Sequence, residues 1–320
     1  MVKTRTVFIL GAGASCPYGY PSGRELRQQI CSYHVADCES YLNANSRITP
    51  LIPQELRRAG DFANKFRKSS TKSIDLFLAR NPEFTTYGKR AILFRIFAAE
   101  KQSRFREETK YKDQDWYSWL FEQLTQTLVR KEDYSRFGEN CISFVTFNYD
   151  RSLEFFLYES LINSFNGVAP GKIVEQLDKI RIIHVFGQAA PLRWQGQDHV
   201  MEYAEDTTNT NVEIFCDNLR IIYEKSENLE LDEAQEVISK ASRVFFLGFG
   251  YAQENLDALG IPAILNAAQH VYGTALALTK REINRVKSVL KLTAGSGPEG
   301  GPVNLLIEDL DCLALLRKYL

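Results

Sequence analysis

Five short apolar runs, each ending abruptly in small or polar residues, constrain the fold of this chain more than any other feature. They are Thr6–Leu10, Ile142–Phe147, Ile180–Phe186, Val244–Leu247 and Val271–Leu278. Each run is continuously apolar rather than alternating, which is typical of parallel strands that are covered on both faces. Helical patterns separate them, and a last strand and helix are expected after a flexible glycine-rich loop at 295–302. The pattern predicts an α/β fold with a doubly wound parallel sheet.

The span from about residue 45 to 138 interrupts this alternation. It contains three helical patterns and no convincing strand: "QELRRAGDFANKFRK", "GKRAILFRIFAAEKQ" and "DWYSWLFEQLTQTL". We therefore predict a single domain over residues 1–320, with a helical insertion between the first strand and its successors. Such a layer commonly covers a ligand cleft.

The charge balance and the cysteines exclude several classes of protein. Lys and Arg number 39 against 40 Asp and Glu, so the net charge is −1 and no overall basic excess favours nucleic acid. The cysteines are scattered without a C-x-x-C pair, which argues against structural zinc: Cys16, Cys31, Cys38, Cys141, Cys216 and Cys312. We expect no signal peptide, and the sequence contains no apolar run of about 18 residues. We expect a cytoplasmic protein with free thiols, without metal, membrane or direct nucleic-acid contact.

The first apolar run ends in "FILGAGAS", residues 8 to 15, which brings Gly11 and Gly13 to a tight turn. Small residues there let a pyrophosphate approach the backbone, and a following helix offers free N–H groups. The match to G-x-G-x-x-G is partial, because Cys16 replaces the third glycine and no ribose-binding acid follows about 20 residues on. Two interpretations stay open: a nucleotide site, or a tight strand–helix turn. On the first, Gly13→Val should block binding and leave the protein folded.

The ends of the later apolar runs carry residues suited to the same ligand. In an open α/β sheet the ligand lies beyond the carboxyl ends of the strands, so these residues should converge. They are Asn148 and Asp150 in "FVTFNYD", His184 and Gly187 in "IIHVFGQ", and Gly248, Gly250 and Asn255 in "FFLGFGYAQENL". Their convergence indicates a nucleotide site more strongly than any single motif does.

Taken in order, these motifs resemble those of the sirtuin-like Rossmann proteins. The order is GAGAS after the first strand, T-x-N-Y-D after the second, H-x-x-G after the third and LGFGY with N-L after the fourth. The segments "GYPSGRELRQQI" and "SIDLFLARNPEF" are similar to the bacterial branch whose members hydrolyse NAD in anti-phage defence. The resemblance covers most of the chain and implies a Rossmann-like fold with NAD as substrate.

The resemblance also implies roles for individual residues. Cleavage releases nicotinamide through an oxocarbenium-like state. Asn148 is expected to hold the attacking water, and His184 to accept a proton as a neutral imidazole with a pKa of about 6.5. Asp150 is implied to lie near the nicotinamide carboxamide, although it could equally cap the next helix. The residues expected to bind NAD are Gly11, Ala12, Gly13, Ala14, Ser15, Gly187, Gly248, Gly250 and Asn255.

The chain departs from the family pattern at two points. It lacks the four-cysteine zinc module of sirtuin deacylases, which disfavours peptide deacylation. Many relatives carry a histidine directly before the glycine, where this chain has Phe186, so His184 is the histidine left for that role.

Three functions stay open, and the pair of Asn148 and His184 favours the first. They are an NAD+ hydrolase, with cyclisation as a variant; a non-catalytic subunit that senses NAD or ADP-ribose; and a dehydrogenase, which Cys16 disfavours. A toxic NADase must be restrained, so we expect activation through homo-oligomerisation or a separate partner. The resemblance suggests a HerA-type ATPase or a short Argonaute as that partner.

Overall fold

Six parallel strands form one sheet in the order β3-β2-β1-β4-β5-β6. The computed structural model describes residues 1–44, 52–103, 105, 115–196, 198–207, 212–222, 228–261, 263–291 and 304–320, so the predicted loop at 295–302 lies outside them. The strands are β1 (Thr6–Leu10), β2 (Ile142–Thr146), β3 (Arg181–His184), β4 (Arg243–Leu247), β5 (His270–Thr274) and β6 (Asn304–Glu308). This is the order of a doubly wound Rossmann-like sheet, with its switch point between β1 and β4. The predicted fold class is confirmed.

A row of aromatic rings crosses the middle of the sheet and follows its register. Phe8 of β1 is level with Phe144 of β2 and Phe245 of β4. Its ring centroid lies 5.2 Å from that of Phe144 and 5.5 Å from that of Phe245. All five residues of β1 are buried. The continuous apolar runs are therefore what two covered faces require, because neither side of these strands meets water.

Thirteen helices are described between and after the strands. They are α1 (Ala12–Ser15), α2 (Gly23–Ala44), α3 (Ile52–Lys68), α4 (Ile74–Arg80), α5 (Thr85–Lys101), α6 (Trp116–Thr125), α7 (Ser152–Ser164), α8 (Pro170–Leu177), α9 (Glu213–Cys216), α10 (Leu229–Ser239), α11 (Gln253–Ala258), α12 (Lys280–Lys291) and α13 (Cys312–Tyr319). None of the helices in the described ranges has the length and apolarity needed to cross a membrane.

Two strands are shorter than their apolar runs predict. The third run extends to Phe186, but β3 ends at His184 because Gly187, at φ +85°, turns the chain and donates its N–H to the His184 carbonyl. The fifth run extends to Leu278, but β5 ends at Thr274, and Ala277 adopts φ +63° in the loop that follows. After β3 the apolar residues Val185 and Phe186 stay buried in the turn, whereas after β5 Leu276 is 65% exposed, so its apolar character does not reflect packing.

Between β1 and β2 the structure describes helices α1 to α6, of which α3 to α6 lie within residues 45–138. These helices contact the β1 turn and the N-Y-D segment. The indole N–H of Trp116 donates to the Ala14 carbonyl at 2.9 Å, and the Tyr149 hydroxyl donates to Asp75 at 3.2 Å. The insertion is thus part of the support for the carboxyl edge of the sheet.

A fully buried ion pair ties the insertion to the segment after β3. The Arg151 guanidinium donates to both carboxylate oxygens of Glu100, at 2.8 and 3.0 Å, and neither side chain is exposed. Arg151 also donates to the carbonyls of Ala190 and Pro191. A buried charge is tolerated only when it is paired and hydrogen-bonded, and here each requirement is met.

Candidate active site

The glycines of the β1 turn pack directly on the backbone that follows β4. A Cβ added to Gly11 would lie 2.7 Å from the Gly248 carbonyl oxygen, and one added to Gly13 would lie 2.8 Å from the same atom. Gly248 itself has φ +56°, and a Cβ there would lie 2.0 Å from the Ala14 nitrogen. Glycine is required at all three positions because two backbone segments touch, and this holds whether or not a ligand binds.

The amides of this turn are largely satisfied within the chain. The N–H of Gly11 donates to the Leu247 carbonyl, that of Gly13 to the Gly248 carbonyl and that of Ala14 to the Gly11 carbonyl, at 2.9–3.0 Å. The helix that follows, α1, has only four residues. The expected set of free amides at a helix N-terminus is therefore reduced. That Gly13→Val leaves the protein folded stays a prediction, and the contact of its side chain with Gly248 backbone is expected to destabilise the variant.

Asn148 joins the end of β2 to the β1 turn. Its side-chain amide donates to the Gly11 carbonyl and to the Ser15 hydroxyl, both at 3.0 Å, and its backbone N–H donates to the Thr146 hydroxyl at 3.0 Å. The side chain is half-buried rather than sealed in the core. The Asn148 side chain therefore points at the β1 turn and not at the start of α7.

His184, at the end of β3, lies between Asn148 and a buried carboxylate. Its Nδ1 is 3.0 Å from the Asn148 carbonyl oxygen, and its Nε2 is 2.5 Å from Oε1 of Glu154. The His184 side chain is 10% exposed and that of Glu154 is 3% exposed. The Gln188 amide donates to the same Glu154 oxygen at 3.2 Å. Asn148 and His184 are thus brought together, as the sequence predicts.

The partners of His184 bear on its protonation state. Burial alone would lower the pKa of His184, but the charge and hydrogen bond of Glu154, with the Asn148 carbonyl, outweigh it and raise that pKa. A neutral imidazole has one N–H donor, whereas both nitrogens here face acceptors. The contacts favour an imidazolium beside a carboxylate, which differs from the neutral imidazole expected from sequence. The proton-accepting role of His184 stays a prediction.

Asp150 is buried beneath the same cluster. Its carboxylate accepts from the backbone N–H of Ser152 at 3.1 Å and from the Ser152 hydroxyl, which also meets the Tyr117 hydroxyl at 2.9 Å. Burial raises the pKa of Asp150 although hydrogen bonds from Ser152 and Ser15 favour its charged form. The contact with Ser152, two residues on, is an Asx turn that precedes α7, whose N-cap position is Arg151 without a side-chain cap bond. Its contact with nicotinamide stays a prediction.

The remaining residues expected to bind NAD occupy different settings. Gly187 turns the chain after β3, where an added Cβ would lie 1.7 Å from the Asn218 carbonyl oxygen. Gly250 is exposed, and an added Cβ there would meet nothing within 4 Å. Asn255 is the third residue of α11 and is half-buried. Their assignment to NAD stays a prediction, and only Gly187 hydrogen-bonds directly to a member of the His184 cluster.

A groove of about 630 Å³ runs along the outer edge of β3. Its walls include His184, Glu154 and Gly187, together with Trp194 and the paired residues Arg220 and Glu230. Sequence reasoning missed Glu154, because it lies outside the motifs that end the apolar runs. The available signal was its place in the first turn of α7, close behind the N-Y-D motif at the end of β2.

Within the described ranges, no group of three or more His, Cys, Asp or Glu side chains could hold a metal ion. All six cysteines are described and none is in a disulfide. The absence of metal stays a prediction, because it depends on what the protein binds in solution.

Comparisons with known proteins add little to this geometry. No protein-family model matches the chain, and no curated protein matches it. Among solved structures, one described as "Structure of Sir2Tm bound to a propionylated peptide" aligns with 98% of this chain and 90% of that chain, at 11% sequence identity and a TM-score of 0.38. A likeness of that size carries no argument, and the fold assignment rests on the strand order.

Proposed function

We propose that this protein hydrolyses NAD+ to nicotinamide and ADP-ribose. One observation carries the proposal: Asn148 contacts the β1 turn through its side chain and His184 through its carbonyl. An amide able to hold a water and an acid–base group therefore adjoin each other at the carboxyl edge of β1–β3, next to the switch point where such sheets bind ligands. The resemblance of the motifs supports NAD as the substrate.

The chemistry suits these residue types. The nicotinamide ring of NAD+ is positively charged and leaves as a neutral molecule. The oxygen of water bonds to C1′ of the ribose as the C1′–N bond breaks, and the electron pair of that bond goes to the ring nitrogen. Asn148 holds the water, and a deprotonated His184 takes its proton. Asp150 contacts the carboxamide in this proposal.

The biological setting follows from the motif resemblance alone. The enzyme depletes cytoplasmic NAD in anti-phage defence and is restrained until activated. Activation comes from homo-oligomerisation or from a partner such as a HerA-type ATPase or a short Argonaute.

A second candidate is a non-catalytic subunit that binds NAD or ADP-ribose. The observation that favours it is His184, whose nitrogens both face acceptors. An imidazolium held in that way has no lone pair with which to accept a proton.

Asn148→Ala and His184→Ala separate the two candidates. Loss of a positioned catalytic group typically costs about 10²–10⁴-fold in rate. We expect each variant to release nicotinamide that much more slowly, while its affinity for NAD changes far less. Nicotinamide release and calorimetric NAD affinity are measured on the same preparations, with any activating partner present. The matched controls are Asn163→Ala and His199→Ala, at exposed positions.

NAD binding without nicotinamide release in the wild-type protein, under all activating conditions, would favour the sensor. Parallel loss of binding and activity in both variants would make Asn148 and His184 ligand-holding residues. Because Asn148→Ala removes two hydrogen bonds from the β1 turn, its free energy of unfolding is measured as well.

A further inference from the structure

We infer that Glu154 is a positioning residue for the same reaction, which sets the proton form and the orientation of His184. The inference takes its chemistry from the proposed function, but its first test does not require catalysis. Glu154 lies in the first turn of α7, is 3% exposed, and meets Nε2 of His184 at 2.5 Å. The Gln188 amide holds the same carboxylate oxygen from the loop after β3.

The contacts assign different tasks to the two nitrogens of His184. Glu154 accepts a hydrogen bond from the Nε2–H. A hydrogen bond that holds the proton on one ring nitrogen leaves the other nitrogen to exchange its proton. That nitrogen is Nδ1, which lies 3.0 Å from the carbonyl of Asn148. The exchangeable proton is therefore beside the residue proposed to hold the water. In the reaction the contact between Nδ1 and the Asn148 carbonyl opens to admit the water, an O–H bond of that water breaks, its oxygen bonds to C1′ as the bond to nicotinamide breaks, and the proton goes to Nδ1, giving an imidazolium that the Glu154 carboxylate stabilises.

Several other ionisable groups surround this pair. Burial lowers the pKa of His184 and Glu154 raises it. Asp150, from the loop before α7, is a second negative charge that raises the same pKa to a smaller extent. Tyr117 faces Glu154 from α6. Across the groove, Arg220 is paired with Glu230. Further along the groove, Asp178 follows α8 and Arg181 of β3 pairs with Glu233 of α10. The Glu154 carboxylate is in direct contact with the imidazole, so its removal should dominate over these more distant groups.

Titration of His184 by NMR tests this without any turnover. The chain has four histidines, and the signals that disappear in His184→Gln identify residue 184. His34 does not interfere, because burial lowers its pKa to about 3. In Glu154→Gln the midpoint of His184 should fall by about 1–3 pH units, the usual effect of a neighbouring carboxylate. Glu159→Gln is the matched control on the same helix and should leave the midpoint unchanged.

The pH dependence of nicotinamide release is the second measurement. Release should rise with pH as His184 loses its proton, and Glu154→Gln should move that rise to lower pH by the same amount as the NMR midpoint. The maximal rate should fall because the ring is no longer held in one orientation. Glu154→Asp retains the charge one methylene further away and should give an intermediate midpoint, which keeps the test available if Glu154→Gln does not fold.

An unchanged His184 midpoint in both Glu154 variants would overturn the inference and leave the hydrolase proposal standing. A shifted midpoint with an unshifted rate profile would also overturn it, since Glu154 would then act on His184 without affecting the reaction. A third outcome combines a shifted His184 midpoint in Glu154→Gln with a wild-type protein that never releases nicotinamide. It would overturn the hydrolase proposal and retain the link between Glu154 and the proton form of His184.

Discussion

The two sides of the sheet's carboxyl edge are built in different ways. On the β1–β4 side, backbone meets backbone: Gly11 and Gly13 pack on Gly248, and their amides are bonded within the chain. On the β2–β3 side, polar side chains take part: the His184 imidazole lies between the backbone carbonyl of Asn148 and the side-chain carboxylate of Glu154. Close backbone packing is enough to explain the glycines on the β1–β4 side. Packing does not explain the ionisable residues on the β2–β3 side, because burying them costs free energy that an apolar core would not incur.

The comparison shows where the functional signal is strongest. A glycine-rich turn is needed for close backbone packing in any α/β protein with this contact, so it is weak support for a nucleotide. A histidine between a carbonyl and a buried carboxylate is not needed for packing. Perturbed ionisable groups of that kind concentrate at functional sites.

The largest effect on stability is expected at the β1–β4 side. Gly13→Ala places a Cβ 2.8 Å from the Gly248 carbonyl oxygen and 2.9 Å from its Cα, and backbone atoms cannot swing away as a side chain can. We expect the free energy of unfolding to fall by about 1–3 kcal/mol. Urea denaturation measures it. Gly250→Ala is the matched control, because its added Cβ meets nothing within 4 Å, and it should change stability by no more than about 0.5 kcal/mol.

Equal, small changes in the two glycine variants would break the comparison. The β1 turn would then be loosely packed, and its glycines would again need a ligand to explain them.

A smaller effect is expected at Asp150 on the other side. Burial raises the pKa of this carboxyl in the folded protein. Its contribution to stability is therefore complete below its unfolded pKa of about 3.9 and is lost as pH rises through the folded value. Asp150→Asn replaces the carboxyl by an amide that does not ionise, so the variant does not lose this stability as pH rises. Its amide oxygen can still accept a hydrogen bond from Ser152. The variant should therefore gain stability relative to wild type as pH rises above the unfolded pKa of about 3.9.

Denaturation of both proteins at several pH values measures this difference. Asp257→Asn, at an exposed position in α11, is the control and should show a much smaller pH dependence. A wild-type protein that gains stability over the variant with rising pH would contradict the pKa direction. The Asp150 carboxylate would then be stabilised in its charged form.

Much of the fold could be predicted because burial determines the sequence of the central strands. β1 matches its apolar run, Thr6–Leu10, residue for residue, since every position in it is buried. The ends of β3 and β5 could not be predicted, because apolar residues continue into turns whose positive φ at Gly187 and Ala277 leaves no periodic signal.

The candidate site was predictable only in part. Asn148 and His184 stand at strand ends, where the general rule for open sheets places a ligand, and the structure brings them together. Glu154 lies inside α7, outside the motifs at the strand ends. Its contact with His184 depends on how α7 packs against β3, which the sequence does not show. Likewise, the occupied amides of Gly11 and Gly13 depend on the contact with Gly248, more than 230 residues away in sequence.

The smallest expected effect is that of metal removal, and it concerns two thiols on the β1–β4 side. Zinc binds thiolates, so a cysteine whose pKa is raised is a poor ligand. Burial, with the charge of Glu25, raises the pKa of Cys16 to about 11, and burial, with the charge of Asp311, raises that of Cys312 to about 12. Among the described residues, neither thiol belongs to a group of three or more side chains that could hold a metal ion. Metal analysis of the purified protein should therefore find no stoichiometric zinc, and chelators should leave NAD affinity, nicotinamide release and the unfolding midpoint unchanged. One tightly held zinc per chain, whose removal lowers the unfolding midpoint, would contradict this and would reopen deacylation as a function.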